Sequence, residues 1–353
     1  MAMLTALGLM SGTSLDGIDA ALIRTDGERV DEFGPVLTIP YAEDFRRRLR
    51  AVLGKEGGSE AIETELTLLH AEAVRRLLAE NQLPVPDVIG FHGHTVLHRP
   101  AEGLTRQIGD GALLAGETGV PVVNDFRSAD VAAGGEGAPF APLFHAALAG
   151  DLEKPLAVLN VGGVANVTWI GSDGAILAFD TGPGNALIDD WVLATTGRRF
   201  DDNGVLAATG TVDGAVLASL LDHRYFLKPP PKSLDRGDFN GAAVEGLSPA
   251  DGAATLTAFT AAAVVTDFLP EKPRRWLVCG GGRHNRTLMA MLQDAVGAPV
   301  EPVEAVGWRG DSLEAQAFAF LAVRSLRGLP LSLPTTTGVR EPVSGGVLTR
   351  PPL

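Results

Sequence analysis

Leu9-Met10-Ser11-Gly12-Thr13-Ser14-Leu15-Asp16-Gly17-Ile18-Asp19-Ala20-Ala21-Leu22 is the stretch on which the fold turns. An apolar run over residues 4–10 stops at a cluster of hydroxyl and glycine residues, and a second apolar run over residues 18–23 follows at once. The pattern reads as two strands joined by a tight turn. Backbone amides in such a turn can face phosphate oxygens, and a carboxylate there can hold a hydrated magnesium ion. An ordinary polar hairpin tip has the same composition, and this segment alone does not separate the two.

A second segment shifts the balance. Residues 156–170, with Asn160, Gly162, Gly163 and Asn166 at their centre, again read as strand, glycine turn, strand. The two hairpins lie about 150 residues apart, roughly one domain length. A third cluster, Cys279-Gly280-Gly281-Gly282-Arg283-His284-Asn285, follows an apolar strand and leads into a helical stretch over residues 286–296. Two like-built hairpins and a late glycine turn from strand to helix suggest a duplicated α/β unit closing on a nucleotide.

Bulk properties bound the answer. The chain has 353 residues, enough for two domains with their own cores, and 45% hydrophobic residues, as in globular proteins. The formal net charge of −14 argues against nucleic acid as a partner. Cys279 is the single cysteine, so no intrachain disulfide forms, which suits a reducing cytoplasm. No apolar run approaches the ~18 residues of a membrane span, and the first residues read as a strand rather than a signal peptide.

Along the chain, residues 60–80 place Leu66, Leu69, Ala73, Val74, Leu77 and Leu78 at helical spacing, ended by Asn81 and Pro84. Residues 88–91 form a short strand before His92-Gly93-His94-Thr95. Asp110 caps a helix, and residues 121–126 form the next strand, which makes a βαβ crossover with parallel strands. Ligands on such sheets bind beyond the carboxyl ends of the strands, where His92 and Arg127 sit. The domain crossover is placed near the Gly134–Gly137 loop, and Pro229-Pro230-Pro231-Lys232 reads as rigid punctuation between helices. Residues 255–269 and 311–326 read as helices, and the proline-rich tail runs across the first domain.

The chain has no P-loop, no complete dinucleotide fingerprint, no H-E-x-x-H and no G-x-S-x-G, which removes several common enzyme classes. Phe179-Asp180-Thr181-Gly182-Pro183-Gly184-Asn185 places Asp180 at a strand end, where it either serves as a general base or caps the following turn. His92 and His94 alternate on a strand and His98 follows. Zinc needs three or four ligands and no Cys or Glu lies nearby, so recognition of a substrate is the better reading. Arg127 suits a forked contact to a substrate carboxylate, or an ion pair bracing Asp125 or another acid. Asp311-Ser312-Leu313-Glu314 has the form of a capping box. The functional alternative has Glu314 orient a sugar hydroxyl.

With these residues assembled, the chain resembles the 1,6-anhydro-N-acetylmuramic acid kinases of the actin, Hsp70 and sugar-kinase superfamily. The resemblance runs through Gly8–Asp19, His92–Val96, Ile108–Gly111, Val123–Arg127, Gly137–Pro139, Leu159–Asn166, Phe179–Asn185 and Cys279–Gly282. His94 is a departure, since the family more often carries Gln. The resemblance implies an α/β fold of two ribonuclease-H-like domains around a central cleft. The first spans residues 1–128, with the tail 336–353 packed on it, and the second spans residues 129–335. It implies ATP and Mg2+ as cofactors, with no protein ligand for the metal assigned. Nucleotide binding falls to Gly12, Thr13, Ser14, Leu15, Asp16, Gly17, Ile18 and Asp19, to Asn160, Gly162, Gly163 and Asn166, and to Gly280, Gly281, Gly282 and Asn285. Asp180 is the implied catalytic base, with Ser11, His92, Arg127, Asp180 and Glu314 on the sugar. A cytoplasmic homodimer is implied as well. Two other classes share the fold: a kinase of an ordinary hexose hydroxyl, and a non-catalytic ATP-binding module.

Overall fold

A computed structural model describes residues 1–12, 15–265 and 267–352. The chain divides into two compact units, Met1–Gly150 with Ser312–Leu353, and Asp151–Asp311.

Among the described residues, the first unit holds a seven-stranded sheet built from β1 (Leu4–Ser11), β2 (Gly17–Thr25), β3 (Val30–Pro40), β4 (Val88–Arg99), β5 (Leu104–Ile108) and β6 (Val122–Asn124), with one strand from the far end of the chain. The order β3-β2-β1-β4-β6 runs across it, antiparallel through β3, β2 and β1 and parallel through β1, β4 and β6. Alternating apolar residues of β1 and β2 meet the helix Glu60–Glu80, whose Leu66, Ala73, Val74 and Leu77 are buried. Asp110 caps the helix Gly111–Thr118 as expected, accepting from the amides of Ala112 and Leu113.

The other face of this sheet is covered by the helix Leu313–Leu326, far away in sequence. A Cβ on Gly8 would overlap the carbonyl oxygen of Ala315, and one on Gly90 that of Phe318. Glycine at these two strand positions lets the helix backbone lie directly on β1 and β4. The helix Pro142–Leu148 joins it, with Phe144 and Phe320 rings 5.5 Å apart. These contacts correct the boundaries expected at residues 128 and 335. Residues 129–150 and 312–335 belong to the first unit, because their apolar faces are buried there.

In the second unit, β7 (Leu156–Val161), β8 (Val164–Ile170), β9 (Ile176–Pro183), β10 (Arg275–Cys279) and β11 (Val300–Pro302) take the order β9-β8-β7-β10-β11. Strands β7, β8 and β9 are antiparallel, and β7, β10 and β11 parallel. The order and sense repeat those of the first sheet, and this 3-2-1-4-5 arrangement is the ribonuclease-H-like core. The helix expected over residues 255–269 runs instead over Pro249–Ala263, started by Ser248, which accepts from the Asp251 amide, and by Pro249 at its first position. The last strand, β12 (Val347–Thr349), pairs antiparallel with β6 and so extends the first sheet. No single helix among the described residues is long and apolar enough to cross a membrane.

Candidate active site

In the first unit, β1 ends at Ser11, in register with His94 of β4. Ser11 Oγ lies 3.0 Å from His94 Nδ1 and accepts a hydrogen bond from the Tyr41 hydroxyl at 2.7 Å. All three side chains are buried. Burial pushes the Tyr41 phenol far up and the His94 imidazole down to about 4, so both stay neutral across ordinary pH. Tyr41 escapes the sequence reading because it follows an irregular edge strand and sits in no motif.

His92 Nδ1–H donates to the Gly93 carbonyl at 3.0 Å, which leaves Nε2 to accept from Arg127 Nε, also at 3.0 Å. Burial first, and then the adjacent guanidinium, hold the His92 pKa well below its ordinary value. Arg127 also donates to the Gly137 carbonyl at 2.6 Å and lies 5.5 Å above the Phe140 ring. Asp125 accepts from Ser128 at 2.5 Å, and Arg127 braces His92 and the Gly137 carbonyl. The alternation expected for His92 and His94 is broken by Gly93, whose φ is +70°. The two imidazoles therefore take different partners, and His98 Nδ1 pairs with Thr105 at 3.0 Å. Among the described residues no group of three His, Cys, Asp or Glu is placed to hold a metal.

In the first turn, the Gly12 carbonyl accepts from the Leu15 amide at 3.0 Å, and Leu15 is buried with a φ of +59°. Arg46 donates to the Leu15 carbonyl at 2.9 Å and pairs with Asp16 at 3.2 Å. Asp19 accepts from Thr38 at 2.6 Å. Gly17 allows the close approach of Ile39 on β3, and Ile18 is fully buried, so both have packing roles. Thr13 and Ser14 lie outside the described residues.

Glu314 is exposed in the first turn of the helix Leu313–Leu326. The capping box expected at Asp311–Glu314 does not form. The cap residue is Ser312, whose side chain makes no capping hydrogen bond, and Asp311 pairs with Arg283 at 2.7 Å. The Arg283 side chain is 3% exposed, and a buried guanidinium draws both Asp311 and Glu304 to itself.

In the second unit, strand pairing lines up three of the expected residues. Asn160 of β7 pairs with Asn166 of β8, and Asn166 with Asp180 of β9, while Cys279 flanks Asn160 on β10. Asp180 lies inside β9, which continues to Pro183, rather than at a strand end. The cap of the next helix, Ala186–Thr196, is Asn185, so Asp180 is no helix cap. Asp180 is 9% exposed, and its Oδ2 accepts from the Leu234 amide at 2.8 Å.

The glycine turns of this unit converge. The carbonyls of Gly162 and Gly163 accept from the amides of Asn185 at 2.7 Å and Gly184 at 3.0 Å. Gly280 has a φ of +73°, and a Cβ on it would overlap the Asn160 side-chain oxygen. Gly282 packs against Val161 in the same way. By contrast, a Cβ on Gly162, Gly163 or Gly281 meets nothing closer than 3.6 Å. These three glycines leave a patch of bare backbone at the carboxyl ends of β7 and β10, a surface that a phosphate or nucleotide can approach closely. Asn285 caps the helix Arg286–Val296, accepting from the Leu288 amide at 2.9 Å.

Sequence reasoning missed Lys232. The Pro229-Pro230-Pro231-Lys232 segment lies between the short helices Arg224–Leu227 and Arg236–Asp238, as expected, but its main chain is also paired. It returns the chain to the edge of the second sheet, where the Asp180 amide donates to the Lys232 carbonyl at 3.0 Å.

The family model for anhydro-N-acetylmuramic acid kinase matches residues 4–351. The chain is 60% identical over 348 residues to the anhydro-N-acetylmuramic acid kinase of Paramagnetospirillum magneticum, covering 97% of this chain and 98% of that one. It is 59% identical to the kinase of the same name from Rhodospirillum rubrum, covering 97% and 93%. It is 59% identical to that from Acidiphilium cryptum, covering 98% of each chain. Among solved structures, component A of the Acidaminococcus fermentans (R)-2-hydroxyglutaryl-CoA dehydratase is matched at 13% identity, with a TM-score of 0.48 over 92% of this chain and 99% of that one.

Proposed function

The chain belongs to the anhydro-N-acetylmuramic acid kinase family, and we propose that Asp180 is the base through which it performs the family's reaction. That reaction is phosphorylation of 1,6-anhydro-N-acetylmuramic acid in cell-wall recycling. The substrate has an internal 1,6-bridge and no free 6-hydroxyl. Asp180 takes a proton from a water as the water oxygen bonds to the anomeric carbon. The bond from that carbon to the 6-oxygen breaks, and the 6-oxygen takes the γ-phosphoryl of ATP. The products are N-acetylmuramic acid 6-phosphate and ADP, and the water proton leaves from Asp180. The departing 6-oxygen passes its charge to phosphate, so no general acid is needed, and catalysis is positioning and electrostatics.

The observation that carries this reading is the carboxylate of Asp180, fixed in the middle of β9 by the Leu234 amide and aligned with Asn166 and Asn160. The bare backbone at Gly162, Gly163 and Gly281 supports placing ATP there, because a Cβ at these positions meets nothing closer than 3.6 Å and phosphate can reach the main chain. Magnesium bound along with the phosphates neutralises their charge and needs only one or two carboxylates. Arg127 and His92 suit the lactyl carboxylate and the sugar, with Ser11 and Glu314 as further contacts. A cytoplasmic homodimer is part of the same proposal.

Reaction in oxygen-18 water tests the scheme. The expected product carries the label on its anomeric hydroxyl. Label found only in released phosphate means plain ATP hydrolysis, and the ring-opening scheme fails.

A further inference from the structure

We propose that the carboxyl-terminal segment sets the substrate grip of the first unit: Thr337, acting through the buried carboxylate of Asp130 and the main chain of Gly137, holds Arg127 in the pose that takes the carboxylate of the sugar. Thr337 and Asp130 are positioning residues in this arrangement. The inference rests on the reading of Arg127 as the contact to the lactyl group.

Arg127 begins a short helix, Ser128–Ala132, with Asp130 inside it. The chain then turns back through residues 133–137 to reach Gly137, whose φ is +67°. A side chain is strained at that angle, and a Cβ there would also overlap Val131 and His98. Both main-chain groups of Gly137 bond back to the helix start. Its amide donates to Asp130 Oδ1 at 2.7 Å, and its carbonyl accepts from Arg127 Nη1 at 2.6 Å. One residue thus ties the carboxylate to the guanidinium, while Arg127 Nε is fixed on His92 Nε2 at 3.0 Å.

The far end of the chain secures this loop. Thr337 closes the short helix Pro334–Thr337 and is fully buried. Its hydroxyl donates to Asp130 Oδ2 at 2.6 Å across 207 residues of sequence. Its carbonyl accepts from the Glu136 amide at 2.7 Å. A Cβ on Gly135 would overlap both Asp130 Oδ1 and Val339, so the loop lies pressed between the acid and the tail. Asp130 is 1% exposed and accepts at both oxygens, the satisfaction that a buried carboxylate requires. Arginine has many rotamers. A guanidinium held at two of its nitrogens before the sugar arrives has less freedom to lose on binding. The tail therefore contributes to recognition without touching the substrate. A clamp of purely structural purpose would alter stability and leave recognition alone.

Thr337→Val tests this, since valine keeps the shape and removes the donor. The KM for 1,6-anhydro-N-acetylmuramic acid is expected to rise about 10-fold, with the KM for ATP unchanged. Calorimetric binding of 1,6-anhydro-N-acetylglucosamine, which lacks the lactyl carboxylate, is expected to change little. Thr337→Ser restores the hydroxyl and is expected to return the KM to within about twofold of wild type. A Thr337→Val enzyme that melts early but keeps the wild-type KM and its full preference for the lactyl sugar overturns the inference. A loss equal for both sugars, or one that serine does not rescue, overturns it as well. Full preference for the lactyl sugar in Arg127→Ala instead overturns the reading of Arg127 itself. If Thr337→Val fails to fold, Asp130→Asn decides by the same readout. Its amide keeps an acceptor for Gly137 and turns a donor toward Thr337, and it is expected to raise the sugar KM about 3-fold or more. An unchanged KM in that variant overturns the inference.

Discussion

The two sheets share one strand order but finish their polar ends in opposite ways. In the first unit, Ser11, Tyr41, His92 and His94 are buried neutral groups, with Arg127 propped against His92. In the second unit, the polar residues are bare glycine backbone at Gly162, Gly163 and Gly281 and the carboxylate of Asp180 on the same sheet. In the proposed function the first end recognises without changing charge, and the second holds phosphate and moves a proton. A duplicated scaffold therefore does not imply duplicated chemistry; the side chains placed at the strand ends decide it.

The largest expected effect breaks the second end. Asp180→Asn is expected to lower turnover about 100- to 10,000-fold, the usual contribution of a positioned base, with ATP affinity changed little. Near-wild-type turnover in a steady-state assay removes Asp180 from the chemistry.

At the first end, Arg127→Ala is expected to weaken the anhydro-muramyl sugar by roughly 1.5–3 kcal/mol, the range for hydrogen bonds to a charged group. The KM for ATP should hold, and preference over an analogue lacking the lactyl carboxylate should shrink. Because Arg127 also braces His92 and Gly137, a small drop in melting temperature is compatible with that role. An early-melting variant that keeps its full preference for the lactyl group shows that the brace is the whole of its function.

The glycine turns of the second unit can be split into supporting positions and positions proposed to contact the nucleotide. Gly280→Ala introduces both a strained φ and an overlap with Asn160, and is expected to destabilise the second unit by about 1–3 kcal/mol. Gly163→Ala has room and is expected to melt like the wild type, so any loss of nucleotide affinity in calorimetry reports the ligand contact itself. Unchanged affinity in a well-folded Gly163→Ala argues against phosphate at that turn.

The smallest effect is one of stability. His70 and His94 have folded pKa values near 4 and His145 near 3, against 6.5 in the unfolded chain, because burial penalises the imidazolium. A chain that unfolds at acid pH gains protons at these sites. Their stabilising effect is thus complete above pH 6.5 and is lost as pH falls through the folded values. Each histidine contributes at most about 1.4 kcal/mol per pH unit to the slope. Melting temperatures recorded from pH 7 down to 4.5 should fall less steeply for His94→Gln than for wild type. Parallel curves would falsify the neutral burial of His94.

The sheets were legible in the sequence because apolar runs broken by glycine report strand and turn directly. Among the described residues, the strands within 4–12 and 15–23, the hairpin 156–170 and the strand and helix within 276–296 formed as read, and so did the cap at Asp110. The unit boundaries were not legible, because the helix Leu313–Leu326 buries its apolar face on strands roughly 300 residues earlier, and periodicity does not name a partner. At the site, Asp180 stood out through its place before a glycine turn. Lys232 did not, since a lysine after three prolines looks like a solvated linker until its carbonyl is seen paired with the Asp180 amide on β9. The Asp311 capping pattern misled because a buried guanidinium competes for the same carboxylate.

The second unit is inserted into the first, and that sets an order of assembly on the ribosome. Strands β1, β2 and β4 emerge early, yet the helix that seals one of their faces emerges only with residues 313–326, and the strand that flanks β6 only with Val347–Thr349. The inserted unit carries its own cores and is fully synthesised before then. During elongation the nascent chain thus holds a finished domain and, behind it, an unsealed apolar sheet. Gly8 and Gly90, which lack side chains on the face the helix covers, stay accessible for as long as that helix is absent, which makes this interval of translation the one in which a holdase has most to protect.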